Sequence, residues 1–569
     1  MPPFFLKMTE ILTKHIIMLD LLILGALLIL TFCLAPFIPF LSLDDMGILE
    51  RLQGTDHNLM SFIGSGSGSY YRPITIFSFI FDLNLFGRNP VAFHLVNLGI
   101  HTSNTFLVYY LTRLILLQLL GVQPLFGALL AAVVFGLHPV NVEAVAWMAA
   151  RTDLLCCLFF LMVLIVVCDL RISRNRAAIA VAVLTLLSLW SKESSVGLTG
   201  ILLMYWLLQK KQADDQAGRT LVLTAAACLA TLVYLIMRTG FQTKLDSGVA
   251  KVIENGSIMP FSRAAYESLA ALGFYFGKAI YPFPLNFGII TINQPLSVTI
   301  GGIALFVCSI ALLRFSSTRL ALLIFLILLI PPIIAFHGKL PWTPYAERYL
   351  YLSMVGFALI FGISVENIPR KAAFVLLLGM ILLGIPSMQR VALWTDSKAF
   401  WANMLQNSPE FPRSYSCLAY EYLAEKNYHE AEKYYKKALA MGLDTNFVWQ
   451  GLASVRLALG DLNGFEQAKL REAELSQNST NTYIVLIQIL LKKSATESTY
   501  RRAITYYLMA NKKDVSYGDG LYNAAKLYLH LDETQNALKY FRLFLKNPGN
   551  SMYQQFAQKM IVKIEQDKL

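Results

Sequence analysis

Long apolar runs fill the first two thirds of the chain, each closed by a short polar or basic stretch. A helix that crosses a bilayer needs about 20 such residues, within a range of about 17–25. Runs near 16–38, 94–118, 125–143, 154–170, 177–192, 195–209, 220–238, 297–313, 319–337, 348–365 and 372–388 meet or approach that length, which predicts roughly eleven membrane helices. The shorter ones are read as helices that end inside a protein-lined cavity. Two apolar pieces are read differently. A spanning helix at 265–283 would reverse the side of every later connector, so an outer-surface or re-entrant helix is expected there. The aromatic run at 74–86 is expected to lie in the membrane interface.

Beyond about Trp394 the pattern changes. Charges become frequent, and a helical period of roughly 34–36 residues sets in. Leu418-Ala419 with Tyr422, then Ala431, Tyr435 and Ala438, fit the small–large–small positions of a tetratricopeptide hairpin. Ala524-Ala525 with Tyr528, then Ala537, Phe541 and Phe544, repeat the pattern, and Pro548 closes it. Ala503, Tyr507 and Ala510 mark a third unit, and 446–475, with Gly460 at its turn, a weaker fourth. Small residues let paired helices approach, while aromatics fill the space between hairpins. The expected fold is all-α: a multi-span transmembrane domain over 1–388, a linker over 389–407, and an α-solenoid of tetratricopeptide repeats over 408–569.

Composition agrees with a membrane part. Hydrophobic residues make up 56% of the 569 positions and charged ones only 15%, against about 25% in soluble domains. The net charge of +12 would suit nucleic acid, but its placement does not. Arg171, Arg174 and Arg176, Lys210-Lys211, Arg314 with Arg319, and Arg370-Lys371 all sit in short connectors between apolar runs, as orientation signals do. With the N-terminus in the cytoplasm they all fall on the cytoplasmic side. The 38–93 and 144–153 loops, the Ser191–Ser194 corner, the 239–296 segment, the His337–Arg348 loop and the repeats then face outward. The seven cysteines show neither disulfide nor zinc spacing. Lys7 and Lys14 precede the first run with no cleavage site after it, so a retained first span is expected.

Charge at a membrane edge is costly and therefore points to function. Asp44-Asp45 follow the first span. Such a pair can hold a divalent cation, can divide into a charged base and a partner of raised pKa, or can be a solvated helix end. Arg72, Arg151 with Asp153, Lys192-Glu193 and Glu347-Arg348 all fall at span ends on the same outer side. Arg and Lys there can cradle phosphate oxygens, which suggests a pocket for an anionic, membrane-borne substrate. The alternative is a set of scattered structural pairs. His94, Asn97, His101 and Asn104 form one polar stripe on the second span. That stripe either bonds neighbouring helices or lines the cavity. The 64–69 Gly-Ser repeat reads as a hinge before Tyr70-Tyr71-Arg72-Pro73.

In order, Leu43-Asp44-Asp45, Tyr71-Arg72-Pro73, Phe93-His94 with Asn97 and His101, His138-Pro139 with Glu143-Ala144-Val145-Ala146, Arg151-Thr152-Asp153, Ser191-Lys192-Glu193 and Glu347-Arg348-Tyr349 resemble one family. It is the transmembrane and tetratricopeptide-repeat O-mannosyltransferases and their prokaryotic relatives, among the GT-C glycosyltransferases. Ser353 stands where that family often has proline. The resemblance implies transfer of a sugar from a polyprenyl-phosphate-linked donor to a protein or glycan hydroxyl, within a membrane lipid setting. It gives an acid of Asp44-Asp45 the role of general base and Arg72, Lys192 and Arg348 that of donor-phosphate ligands. Tyr71, His94, His101, Arg151, Asp153, Glu193 and Glu347 become supporting residues. A divalent cation on Asp44 and Asp45 is the one cofactor left open. The repeat domain is expected to help grip the acceptor. Compactness and the short array favour a bacterial inner membrane, with the repeats on the periplasmic side. Competing readings are a non-catalytic membrane scaffold for envelope proteins and a transporter or polysaccharide polymerase.

Overall fold

The structure is a computed structural model. It describes residues 3–41, 44–53, 70–121, 126–209, 215–241, 260–292, 296–313, 317–337, 343–366, 368–476, 479–546 and 551–566. The 64–69 hinge, the Lys210-Lys211 connector, Arg314 and Pro548 lie outside these residues. The described residues are helical throughout, apart from loops and a single isolated bridge between Ile289 and Tyr345.

All eleven apolar runs form helix, but they differ in reach. Six helical stretches are long and apolar enough to cross a membrane: Lys14–Phe37, Pro90–Leu120, Met148–Cys168, Gln216–Thr239, Arg319–His337 and Arg370–Trp394. Gly127–Leu137 with Pro139–Ala146, bent by 47°, makes a seventh if taken as one span. The other four runs are the helices Arg174–Ser191, Val196–Gln209, Leu296–Leu312 and Ser353–Val365. The shortest has 13 residues, about 20 Å at a rise of about 1.5 Å per residue, short of a bilayer's apolar core of about 30 Å. The chain is a multi-pass membrane protein with six such spans among its described residues. The runs at 265–283 and 74–86 lie on the helices Phe261–Ile280 and Pro73–Phe86.

Local sequence sets the helix ends. Pro90–Leu120 starts with Pro90 in its first turn, and the Asn89 side chain accepts from the Val91 N–H at 3.1 Å. It stops at Gly121, whose φ of +66° suits glycine. Close helix crossings use glycine too: a Cβ on Gly356 would strike the Ala321 carbonyl and the Phe325 backbone.

The chain divides into two compact units, Met1–Phe411 and Pro412–Leu569. This moves the expected boundary. The 389–407 stretch is not a linker: it lies in the helices Gly384–Trp394 and Ser397–Asn407, and buries Trp394, Phe400, Trp401 and Met404 in the first unit. The repeat unit begins at Pro412 rather than at 408.

Within the second unit, four hairpins follow one another among the described residues. They are Pro412–Ala424 with Tyr428–Ala440, Asn446–Ala458 with Leu462–Leu475, Ser479–Lys493 with Glu497–Lys513, and Asp519–His530 with Thr534–Lys546; Ser551–Gln566 follows. Ala419, Ala431 and Tyr435 pack with Val448, Leu452 and Val455, and Ala525, Ala537, Phe541 and Phe544 with Tyr522 and Ala557. The weak 446–475 repeat is a complete hairpin. Its pattern is blurred because Glu466, Lys469 and Glu472 are buried on its second helix. Glu466 accepts from Arg502 and, at 2.5 Å, from the Tyr506 hydroxyl, while Lys469 pairs with Glu472 at 2.8 Å.

Candidate functional site

Breaks in helices deliver the charged side chains. After Val142–Ala146 the chain leaves the helix at Trp147, turns through Met148–Ala150 and re-enters helix at Arg151–Cys168. Glu143, Trp147, Arg151 and Asp153 therefore point in different directions from one short segment. Lys192 is extended, between Arg174–Ser191 and the turn Glu193–Ser195. Arg348 sits in the tight turn Glu347–Leu350. Arg72 precedes Pro73, a position biased away from helix.

These elements bring three cations into one charge cluster. Lys192 Nζ lies 2.5 Å from Asp153 Oδ1. Arg72 Nε and Nη2 donate to Glu193 Oε2 at 3.0 and 2.8 Å, with the guanidinium 4.2 Å over the Tyr70 ring. Arg348 pairs with Glu143 and donates to Thr343 Oγ1 at 2.9 Å. Lys192 feels the charges of both Arg72 and Arg348, and both arginines feel Asp153. Burial alone would raise the Glu193 carboxyl, but Arg72 and Arg238 outweigh it and hold it below its usual range.

Asp45 opens the helix Asp45–Gln53 and is fully buried. Oδ2 accepts from the Leu41 N–H at 3.0 Å, and Oδ1 makes no hydrogen bond of good geometry. Burial pushes the carboxyl up to about 7 against the Leu41 N–H, with Asp44 adding to the rise and the Ala149 N–H and the Trp147 indole opposing it. The same Trp147 ring carries Arg348, whose Cζ is 4.9 Å from its centroid. One side chain thus separates the buried acid from the cations. Asp44, beside it, is half-buried. Among the described residues no group of three or more His, Cys, Asp or Glu is arranged to hold a metal.

The other residues expected in supporting positions have surroundings of their own. Arg151 spends its guanidinium on Asp82 at 2.5 Å, Asn97 Oδ1 at 2.7 Å and the Phe93 carbonyl at 3.0 Å, packed over the Phe79 ring. Glu347 accepts from Lys278 Nζ at 2.9 Å and the Asn286 N–H at 2.8 Å. His101 lies between the Tyr351 hydroxyl, at 2.8 Å, and the Gly136 carbonyl, at 3.0 Å. His94 is buried with neither ring nitrogen hydrogen-bonded. Tyr71 packs on Leu189 and Tyr234. Asp82, Lys278 and Arg238 escaped the sequence reading, and Glu143 entered it only within a motif. Asp82 had a visible signal, a lone acid inside the apolar run at 74–86.

Fold and site define a multi-pass membrane protein joined to an array of helical hairpins, with a buried ion-pair cluster beside a carboxyl of raised pKa. No family model matches the chain. Its curated homologues include protein O-mannosyl-transferases. Tmtc1 of Drosophila melanogaster is 35% identical over 100 residues, 18% of this chain and 11% of that protein. TMTC4 of Homo sapiens is 38% identical over 101 residues, covering 16% and 14%. F38B6.6 of Caenorhabditis elegans is 29% identical over 191 residues, covering 33% and 26%. The matches thus span about a tenth to a quarter of the length of these relatives. Among solved structures, YrrB, titled a TPR protein with an unusual peptide-binding site, is similar at 20% identity over 31% of this chain and 87% of that one, with a TM-score of 0.22.

Proposed function

We propose that the chain is a GT-C-type membrane glycosyltransferase that moves a sugar from a polyprenyl-phosphate-linked donor to an acceptor hydroxyl at the outer face of the membrane. The observation that supports this reading is the gathering of Arg72, Lys192 and Arg348 around Asp153, one indole away from the Asp45 carboxyl. Asp45 takes the proton from the acceptor hydroxyl as its oxygen bonds to the anomeric carbon. The bond from that carbon to the phosphate oxygen breaks, and the phosphate leaves with the electron pair. Fixed cations lower the energy of that developing charge because they need no reorganisation. A divalent cation on Asp44 and Asp45 would draw its remaining oxygens from donor phosphate and water, as magnesium sites commonly do.

The relatives' printed name makes mannose the first sugar to test and protein the first acceptor, with the repeat unit offering surface for the polypeptide. The setting proposed is a bacterial inner membrane, with the repeats on the periplasmic side, opposite the basic connectors between apolar runs. The test is transfer from polyprenyl-phosphate-mannose by the full chain in vesicles. Asp45→Asn and Arg72→Gln should each abolish most transfer. Full activity in both Asp44→Asn and Asp45→Asn would remove the proposed base; absence of transfer by the unmodified chain, with a cellular function that survives these substitutions but not removal of the repeats, would favour the scaffold.

A further inference from the structure

Tyr349 stands apart from its own segment. From Tyr345 to Gly356 every other residue is buried, whereas Tyr349 is part-exposed. It lies in the tight turn Glu347–Leu350, where its N–H donates to the Ala346 carbonyl at 3.2 Å. Neighbouring side chains on such a turn diverge by about 120°, yet Arg348 folds back onto the ring. Its Cζ is 4.8 Å from the centroid, and Nη2 donates to the Tyr349 hydroxyl at 3.3 Å. That hydroxyl donates in turn to the Thr343 carbonyl at 3.2 Å, which orients the ring.

A second cation reaches the same ring from a distant part of the chain. Lys192, in the extended corner between Arg174–Ser191 and Glu193–Ser195, places Nζ 5.3 Å from the centroid. Both distances lie within the reach of about 6 Å over which a ring attracts a cation. Such contacts occur on the order of once per 70–80 residues, so one alone would say little. Here a single ring serves two cations whose side chains are only 10% and 7% exposed. Each already has a carboxylate: Asp153 lies 2.5 Å from Lys192, and Glu143 pairs with Arg348. A further carboxylate between them would compete with an incoming anion. An aromatic ring holds a cation through its quadrupole and adds no net charge, so it orients both groups and leaves their pull on a phosphate intact. Packing alone does not account for a ring left part-exposed among buried neighbours.

We propose that Tyr349 is a positioning residue for the donor phosphate: its ring holds the Lys192 ammonium and the Arg348 guanidinium at a fixed spacing, so that two oxygens of one phosphate are met at once. This role rests on the reading of the two cations as donor-phosphate ligands, and the resemblance assigns none to Tyr349.

The test is binding of polyprenyl phosphate to the full chain in nanodiscs of neutral lipid, followed by thermal shift. Tyr349→Leu should weaken binding about tenfold. Tyr349→Trp, which restores a strong π face, should recover most of the loss. Replacing Tyr349 by phenylalanine, and then by phenylalanine carrying one, two and three ring fluorines, keeps the shape while draining the quadrupole. Affinity should fall stepwise along that series, a trend that a packing role would not produce. In transfer from polyprenyl-phosphate-mannose the loss should appear in the KM for the donor and not in that for the acceptor. Equal binding by Tyr349→Leu and the unmodified chain, or no trend along the fluorine series, overturns this role while the wider reading stands. The fluorine series decides the matter alone if Tyr349→Leu does not fold. Absence of both binding and transfer in the unmodified chain overturns the role and the wider reading together.

Discussion

Replacing Asp45 by asparagine keeps the shape of the side chain and removes its ability to ionise. Burial pushes this carboxyl up to about 7, whereas an unfolded aspartate titrates near about 3.9. Holding it ionised in the fold therefore costs on the order of 4 kcal/mol. The sign follows from proton binding. The folded carboxyl keeps its proton to higher pH than the unfolded one, so its contribution to stability is intact below about pH 4 and is lost as pH rises through about 7. Asp45→Asn has no such loss. Its unfolding midpoint in detergent should match that of the unmodified protein near pH 4 and exceed it near pH 8, less whatever the Leu41 hydrogen bond gives up on meeting a neutral acceptor. Activity should move the other way. A base works in its ionised form, so sugar transfer by the unmodified protein should climb through about pH 7 and then level off. Asp45→Asn should be slower by roughly 10²–10⁴-fold at pH 8, with no inflection near 7. Transfer within about threefold of the unmodified rate, or a stability gap that does not widen between about pH 4 and pH 8, would refute the assignment.

Breaking the Arg151–Asp82 pair by Asp82→Asn should destabilise the membrane unit by about 3–5 kcal/mol, because it leaves a buried guanidinium without its carboxylate; thermal unfolding and membrane yield check this. Arg348→Lys removes the fork that reaches both Glu143 and Thr343, and transfer should fall about 10–100-fold with little change in the unfolding midpoint. Gly356→Ala should cost about 1–3 kcal/mol, since its Cβ meets the Ala321 and Phe325 backbones. Gly379→Ala, with nothing within 4 Å, is the paired control and should be close to neutral in the same melt.

The apolar runs and the repeats were legible because each is written locally. A helix that faces lipid is apolar over a continuous stretch, and a hairpin repeats its small and aromatic positions, so Ala419, Ala431 and Tyr435 could be assigned to a core from spacing alone. Reach was less legible: the sequence does not mark where Ser353–Val365 begins within its apolar run. The same limit hid the 389–407 helices, whose core of Trp394, Phe400 and Trp401 forms around Phe287, far off in the chain. Charges at span ends could be found, but their partners could not. Arg151 and Glu347 resemble Arg72 and Lys192 in sequence, and only the pairings with Asp82 and Lys278, each 69 positions away, make them braces. Arg238 was invisible for a related reason, since a basic residue ending an apolar run is common at any membrane boundary.

The polar stripe on Pro90–Leu120 bears on how the protein can diverge. Asn97 donates to the Trp147 and Met148 carbonyls, and Asn104 to that of Leu154. Trp147 and Met148 lie where the neighbouring helix is interrupted, and their carbonyls accept from residues three positions on, the Ala150 N–H at 3.1 Å and the Arg151 N–H, with the Asn97 amide as a second donor to each. Asn97 and the interruption therefore form one heritable unit. A lineage that loses the asparagine while keeping the break gives up the second donor to both carbonyls and leaves Arg151 Nε without its amide acceptor. One that straightens the break leaves the amide idle and carries Trp147 away from Asp45. Drift at either place should be held back until both change together.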